Sequence, residues 1–121
     1  MSDEIKKKEL FEKGLSYYKD GNYFEAHEYW EDLWSDFYLE DRKFIQGLIQ
    51  LAVSFVHLEN GNMKGAKSLL SKSKEKFILF SGVHRSINVI LLLQEIEMVD
   101  KIYKELENPN TFNWAIVPSL T

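Results

Sequence analysis

Cysteine is absent from all 121 residues of the sequence. Its absence excludes disulfides, thiolate metal ligands and thiol nucleophiles together. It also suits a reducing compartment, and the first ten residues, MSDEIKKKEL, lack the apolar core of a signal peptide. We therefore expect a cytoplasmic protein.

Long hydrophobic runs and a strong excess of one charge are missing as well. The longest apolar run, Val89 to Leu93, is far shorter than the roughly 18 residues that span a bilayer, so we expect no membrane partner. The net charge is only −4, which gives no reason to expect a nucleic-acid partner. No glycine-rich phosphate loop and no nucleophile elbow is present, so neither of those enzyme classes is indicated.

Proline is scarce: there are two prolines, both near the end, and apolar residues recur at intervals of three and four almost throughout. This spacing predicts an all-α fold, a compact bundle in one domain that covers residues 1–121. The five predicted helices cover roughly residues 3–19, 23–39, 42–59, 63–80 and 88–107. The tail is too apolar to stay in solvent, so we expect Phe112, Trp114 and Ile116 to pack back on the helices.

The helical pattern is interrupted by two Gly-Asn pairs, Gly21-Asn22 and Gly61-Asn62, which lie 40 residues apart. Glycine supplies the left-handed conformation that ends many helices. The first copy resembles a tetratricopeptide unit, whose usual period is about 34 residues. We predict two tetratricopeptide-like antiparallel hairpins, closed by the fifth helix and the tail.

Aromatic side chains are concentrated in the second predicted helix, from Tyr23 to Trp34, which reads YFEAHEYWEDLW. On a helical wheel at about 100° per residue, Glu31 falls among the aromatic residues, with His27 one turn before it. The other carboxylates of this helix fall on the opposite side. A carboxylate and an imidazole set among aromatic rings predict a site.

The third predicted helix is apolar around most of its circumference, which is typical of a helix wrapped by its neighbours. Its polar seam holds Gln46, Gln50 and His57, whose directions agree within about 40° on the wheel. We expect this seam to face the His/Glu pair of the second helix. The predicted buried pocket therefore consists of His27, Glu31, Trp34, Gln46, Gln50 and His57.

Three separate motifs occur in the order seen in a known family: His27-x-x-x-Glu31-x-x-Trp34, then Phe44 to Ala52, then Gly61-Asn62 followed by Gly65-Ala66 and Leu69-Leu70. From about residue 14 to residue 88 the chain resembles domain-of-unknown-function family 309 of bacteria and archaea. The resemblance implies a small all-helical fold and a metal-binding role for the His/Glu motif. It implies no established activity.

Three uses of the predicted pocket remain open. The polar groups form a structural hydrogen-bond network, as buried polar groups require, or they bind a small polar ligand, or they hold a divalent metal. For the metal we consider zinc, with His27 and Glu31 as ligands and His57 as a third. Against zinc, glutamine is a poor ligand and no second carboxylate supports the site. If the protein is an enzyme, metal-assisted hydrolysis is the first class to test.

The alternative function is a non-enzymatic interaction module. Helical hairpins commonly offer a groove to a protein or peptide partner. The tyrosines that we expect to line such a groove are Tyr17, Tyr18, Tyr29 and Tyr38.

Overall fold

The computed structural model describes residues 2–121, and in this part of the chain it contains five α-helices, one two-stranded hairpin and two short 3-10 turns. In chain order the helices and strands are α1 (Asp3–Lys19), α2 (Tyr23–Asp36), α3 (Arg42–Glu59), α4 (Met63–Phe77), β1 (Val83–His84), β2 (Ile87–Asn88) and α5 (Val89–Glu105). The 3-10 turns are Pro109–Thr111 and Trp114–Ile116. The predicted all-α fold is confirmed. Helices α1 and α3 have the predicted bounds, whereas α2 and α4 end three residues before the predicted ends.

The two Gly-Asn turns have the same backbone geometry. Gly21 and Gly61 have φ angles of 81° and 75°, in the left-handed region that a residue with a side chain rarely adopts. After each glycine, the asparagine N–H donates to a carbonyl five residues earlier, at 2.8 Å in both turns. These turns fold α1 onto α2 and α3 onto α4, so the two predicted helix hairpins are present.

Helix α3 forms the centre of the core. Ten of its 18 residues are buried, more than in any other helix, because α2 and α4 cover two of its sides and the residues after α5 approach a third. At roughly 2 kcal/mol for each large apolar side chain removed from water, α3 contributes more burial free energy than its neighbours. The polar side chains of α3 lie on the side of the helix that stays open.

The tail packs on the bundle, as predicted. Phe112 is buried and Ile116 lies against the core. Trp114 stacks on Tyr23 with ring centroids 5.7 Å apart but keeps part of its surface in solvent. Leu120, which the sequence analysis does not single out, is buried with a φ angle of 58°.

The hairpin between α4 and α5 is a correction to the sequence analysis, which predicts no strands. Its two strands have two residues each, joined by Arg85 and Ser86 with φ angles of 49° and 64°. Two-residue hairpin turns of this kind usually carry Asn-Gly or Asp-Gly. Because neither residue pair is present, the usual sequence signal for the turn is missing.

Candidate functional site

Four of the predicted pocket residues line one cleft at the seam of α2 and α3. The cleft has a volume of about 220 Å³ and is open to solvent. Its lining residues are Glu31, Trp34, Gln46, Ile49 and Gln50. Helix α2 contributes the carboxylate and the indole, and α3 contributes the two amides and the apolar floor.

Glu31 is exposed, so the expectation that it is buried among aromatic rings is wrong. The buried stripe of α2 consists of Tyr23, Ala26, Trp30 and Leu33. Glu31 directly follows Trp30 and is therefore turned by about 100° away from it around the helix axis. It lies at the edge of the stripe, where it borders both the cleft and the solvent. Among residues 2–121, no hydrogen bond joins Glu31 to either glutamine.

The two histidines of the predicted pocket do not line the cleft. His27 is half-buried, its Nδ1 lies 2.5 Å from the carbonyl oxygen of Phe24, and its ring contacts the Phe24 ring edge-on at 4.9 Å. His57 Nδ1 lies 3.3 Å from Asn62 Nδ2 at the turn into α4. His57 is seven residues beyond Gln50, which is about 10 Å along the helix axis, so it lies beyond the end of the cleft.

Two buried polar atoms of the cleft residues have no hydrogen-bond partner in the described part of the chain. They are the indole Nε1 of Trp34 and the amide Oε1 of Gln50. One is a donor and the other an acceptor. A buried polar group without a partner costs about 1–3 kcal/mol. The part of the protein that the structure describes thus supplies no partner for either atom.

Arg42 also belongs to the site, although the sequence analysis does not include it. Its guanidinium lies over the Trp34 ring, 4.2 Å from the centroid, which is the geometry of a cation–π contact. Arg42 is the first residue of α3, so the contact forms only when the turn between α2 and α3 brings the two helices together. No local sequence pattern indicates such a contact.

The residues present do not assemble the donor set of a zinc site. Among residues 2–121 there is no group of three or more His, Asp or Glu side chains that could hold a metal ion. His27 and His57 are each next to a local hydrogen-bonding partner, and neither lines the cleft that Glu31 borders. Zinc binding by His27 and Glu31 stays a prediction.

The four tyrosines of the predicted groove do not lie together. Tyr18 is buried. Tyr17 and Tyr29 stack on each other with centroids 5.4 Å apart. Tyr38 lines a different cleft together with Leu79. The expectation of one tyrosine-lined groove is therefore wrong.

The fold and the cleft define a small all-α protein with a polar cleft at the seam of two helices. Residues 11–69 match the family described as "Domain of unknown function (DUF309)", which confirms over this segment the family predicted from the motifs. The match contains the whole HxxxExxW motif and both glutamines of the cleft.

A curated relative carries no assigned function either. The chain is 28% identical over 107 residues to "Uncharacterized protein YpuF" of Bacillus subtilis (strain 168). The alignment covers 86% of this chain but only 60% of that relative. No solved structure matches the chain. These comparisons do not support the tetratricopeptide resemblance, which describes local turn geometry alone.

None of the helices formed by residues 2–121 combines the length and the apolar character needed to cross a bilayer. A cytoplasmic location stays a prediction.

Proposed function

We propose that the cleft between α2 and α3 binds a small neutral ligand that carries an amide or an equivalent donor–acceptor group. The observation that carries the proposal is the pair of unpartnered atoms, Trp34 Nε1 and Gln50 Oε1. The protein acts by binding, and no catalytic step is part of the proposal.

The chemistry of the two atoms selects the ligand group. The Trp34 N–H needs an acceptor, and Gln50 Oε1 needs a donor. A carboxamide presents a carbonyl oxygen and an N–H on the same planar group, so it carries a partner for each of the two atoms. Each satisfied atom recovers part of the free energy lost when it was buried without a partner.

The charges and the size of the cleft restrict the class of ligand further. Glu31 lines the cleft, and its carboxylate repels an anionic ligand. The Arg42 guanidinium lies over the Trp34 ring, so a positive charge also borders the site, and the two opposite charges together favour a ligand without net charge. A volume of about 220 Å³ is below the roughly 300–1,000 Å³ of most drug-sized sites. The ligand, or the part of it that enters, therefore has only a few non-hydrogen atoms.

The experiment follows the indole N–H signals of ¹⁵N-labelled protein by NMR during titration with propanamide. We expect the Trp34 signal to shift and saturate. The Trp30 signal is an internal control, because its N–H is buried and already donates to the carbonyl oxygen of Phe11 at 3.2 Å, and it should not move. Propanoate, which has nearly the same shape but a negative charge, should shift Trp34 much less.

A variant separates this proposal from non-specific contact. Gln50→Met removes the acceptor with little change of volume. The affinity for propanamide, measured from the Trp34 signal, should therefore fall about five- to tenfold, the equivalent of one hydrogen bond. The proposal is wrong if the Trp34 signal stays fixed up to the solubility limit of propanamide. It is also wrong if Gln50→Met binds as well as the wild type.

The alternative, a non-enzymatic interaction module, stays a prediction. An Asn or Gln side chain of a partner protein has the same amide group as the proposed ligand. The propanamide titration therefore probes the recognition chemistry of both functions.

A further inference from the structure

The connection between α4 and α5 exposes an unusual share of the apolar surface. Ten large hydrophobic side chains are exposed in the described part of the chain, and five of them fall within residues 78–91. These five are Ile78, Leu79, Val83, Ile90 and Leu91. Single exposed apolar residues are ordinary on protein surfaces, but a concentration of them indicates an interaction site. We name these five residues the apolar corner.

The apolar corner is ordered by backbone hydrogen bonds. The N–H of Val89 donates to the carbonyl oxygen of Gly82 at 2.9 Å, and Val83 pairs with Asn88 in the hairpin. These bonds hold the start of α5 against the segment that follows α4. The exposed side chains therefore belong to a folded part of the protein, and their exposure is a property of the native fold.

Basic groups flank the apolar corner. Leu79 shares a cleft of about 390 Å³ with Tyr38, Arg42 and Lys43, and Lys76 stands on the last turn of α4. From residue 76 to residue 94 the sequence contains no Asp or Glu, although the protein as a whole carries a net charge of −4. This end of the molecule is thus apolar and locally basic.

The nearby acidic groups do not cancel this charge. The carboxylate of Asp41 is bonded to His84 and Arg85, so its charge is compensated. Glu40 lines the same cleft as Arg42 and Lys43, which leaves the cations in excess there. Glu4 lines a second cleft that also contains Tyr38, and its carboxylate is paired with Lys7.

We propose that the apolar corner docks on the surface of an anionic lipid bilayer. Val83 and Leu79 are 70% and 60% exposed, so they project from the surface and can enter the boundary between headgroups and acyl chains. The flanking lysines contact lipid phosphates, each contributing roughly a fivefold gain in binding. Tyr38 is 76% exposed and has the amphipathic ring that is common at membrane interfaces.

A bilayer fits this corner better than a peptide does. A peptide partner needs a recessed groove for its anchor side chains. Leu79 lines such a recess, but Val83 and Ile90 project from the surface, with 70% and 62% of their area exposed. The proposal departs from the expectation of no membrane partner, which rests on the short apolar runs of the sequence; surface docking requires no spanning helix. Because the whole protein is acidic, attraction is limited to the orientation in which the corner faces the lipid.

The experiment measures sedimentation of the full chain with vesicles. We expect binding to vesicles of phosphatidylglycerol and phosphatidylcholine, weak binding to pure phosphatidylcholine, and a loss of binding at 1 M salt, where the Debye length falls to about 3 Å. Leu79→Ser should weaken binding about tenfold or more, because a leucine side chain no longer leaves water. Lys43→Gln should weaken it about fivefold.

Met98→Ser is the matched control, since Met98 is 53% exposed on α5 but lies outside the apolar corner. It should bind vesicles like the wild type. Equal losses for Met98→Ser and Leu79→Ser overturn the proposal, as does failure to bind anionic vesicles at low salt. Self-association in sedimentation velocity that Leu79→Ser abolishes also overturns it, because the corner is then covered by a second copy of the chain.

Discussion

At the scale of single residues, Gly14 of α1 packs directly against the indole ring of Trp30 of α2. A Cβ atom added at Gly14 meets the indole Nε1 at 2.2 Å and two further ring atoms within 2.7 Å. Trp30 cannot move away easily, because it is fully buried and its N–H donates to the carbonyl oxygen of Phe11. The absence of a side chain at Gly14 is therefore a packing requirement.

We predict that Gly14→Ala lowers the free energy of unfolding by about 2 kcal/mol or more. Overpacking a core costs roughly 1–3 kcal/mol, and a contact this short places the cost at the upper end of that range. Replacing a helical glycine by alanine gains only about 1 kcal/mol, so the loss exceeds the gain. Urea unfolding measures the difference. Ser16→Ala, an exposed position of the same helix, should leave the stability nearly unchanged. A Gly14→Ala protein as stable as Ser16→Ala would contradict this account of the contact.

Single residues also show what the sequence can and cannot predict about the site. Trp34, Gln46 and Gln50 were predicted to share a pocket, and they line one cleft because helical periodicity defines the face on which each lies. Glu31 lies at the edge of its face, and the wheel of one helix does not tell whether an edge position meets a neighbouring helix or water. Arg42 was missed because its contact with Trp34 depends on the path of the turn between two helices.

At the scale of elements, Asp41 joins the start of α3 to the hairpin. Asp41 is the N-cap residue of α3, a position that aspartate often occupies, but its side chain makes no capping hydrogen bond. Its carboxylate instead accepts hydrogen bonds from His84 Nε2 at 2.8 Å and from Arg85 Nε and Nη2 at 2.5 and 3.0 Å. The sequence cannot predict this contact, because more than 40 residues separate the partners.

His84 lies in the connection between α4 and α5, and connecting segments usually expose their side chains to solvent. Its ring instead lies 4.5 Å from the Phe44 ring and 4.9 Å from the Phe80 ring. The two aromatic contacts hold the imidazole in place, and the imidazole in turn positions the hairpin against α3. Helix α4 ends nearby at Phe77, and the chain then turns so that the Phe80 ring packs on the Phe44 ring.

We predict that the stabilisation from Asp41 depends on pH. Partial burial by itself raises the pKa of Asp41, but the hydrogen bonds and charges of Arg85 and His84 outweigh burial and lower the pKa below its usual value of 3.8. A group with a depressed pKa in the folded state stabilises the fold above its unfolded pKa and loses this contribution as the pH falls through the folded pKa. Asp41→Asn should therefore destabilise the protein at pH 7, and the difference from wild type should shrink below about pH 4.

Chemical unfolding at pH 7 and at pH 3 measures this change. Asp32→Asn is the control, because Asp32 is exposed on α2, and it should give a small difference at both pH values. If the destabilisation by Asp41→Asn is the same at pH 7 and pH 3, the charge of Asp41 is not the source of the stabilisation.

At the scale of the whole molecule, the core extends beyond the segment that matches the family. Phe55 of α3 contacts Phe112 and Trp114 of the tail, with ring centroids 6.4 and 6.1 Å apart. Ser54, also in α3, shares a buried hydrogen bond of 3.0 Å with the Tyr103 hydroxyl. Burial raises the pKa of Tyr103, so its hydroxyl keeps the proton that this bond uses. Residues after position 69 thus complete the core that α3 begins.

The global arrangement was predictable because it follows from helix spacing and from two glycine turns. For the tail, the sequence predicts only that it tends to pack on the helices and not which contacts it makes. Its apolar composition indicates burial, but Leu120, with its left-handed backbone, and the hydrogen bond of 2.9 Å from the Tyr18 hydroxyl to the carbonyl oxygen of Pro118 depend on tertiary contacts. Such contacts join residues 100 positions apart, beyond the reach of a local pattern.

We predict that a fragment of residues 1–76, which contains the whole family match, does not fold cooperatively. It retains α1, α2, α3 and most of α4 but loses the aromatic rings that cover Phe55, so apolar surface is left in water. Ser54 loses its hydrogen bond to Tyr103 and keeps only the one to the carbonyl oxygen of Ala66. Circular dichroism should show residual helix with a broad thermal transition, and the NMR spectrum should show poor dispersion. The full chain with Phe112→Ala is the matched comparison: it should lose about 3–5 kcal/mol and still unfold in one cooperative transition. A fragment with sharp, dispersed signals and a single steep transition would mean that the matched segment completes its own core.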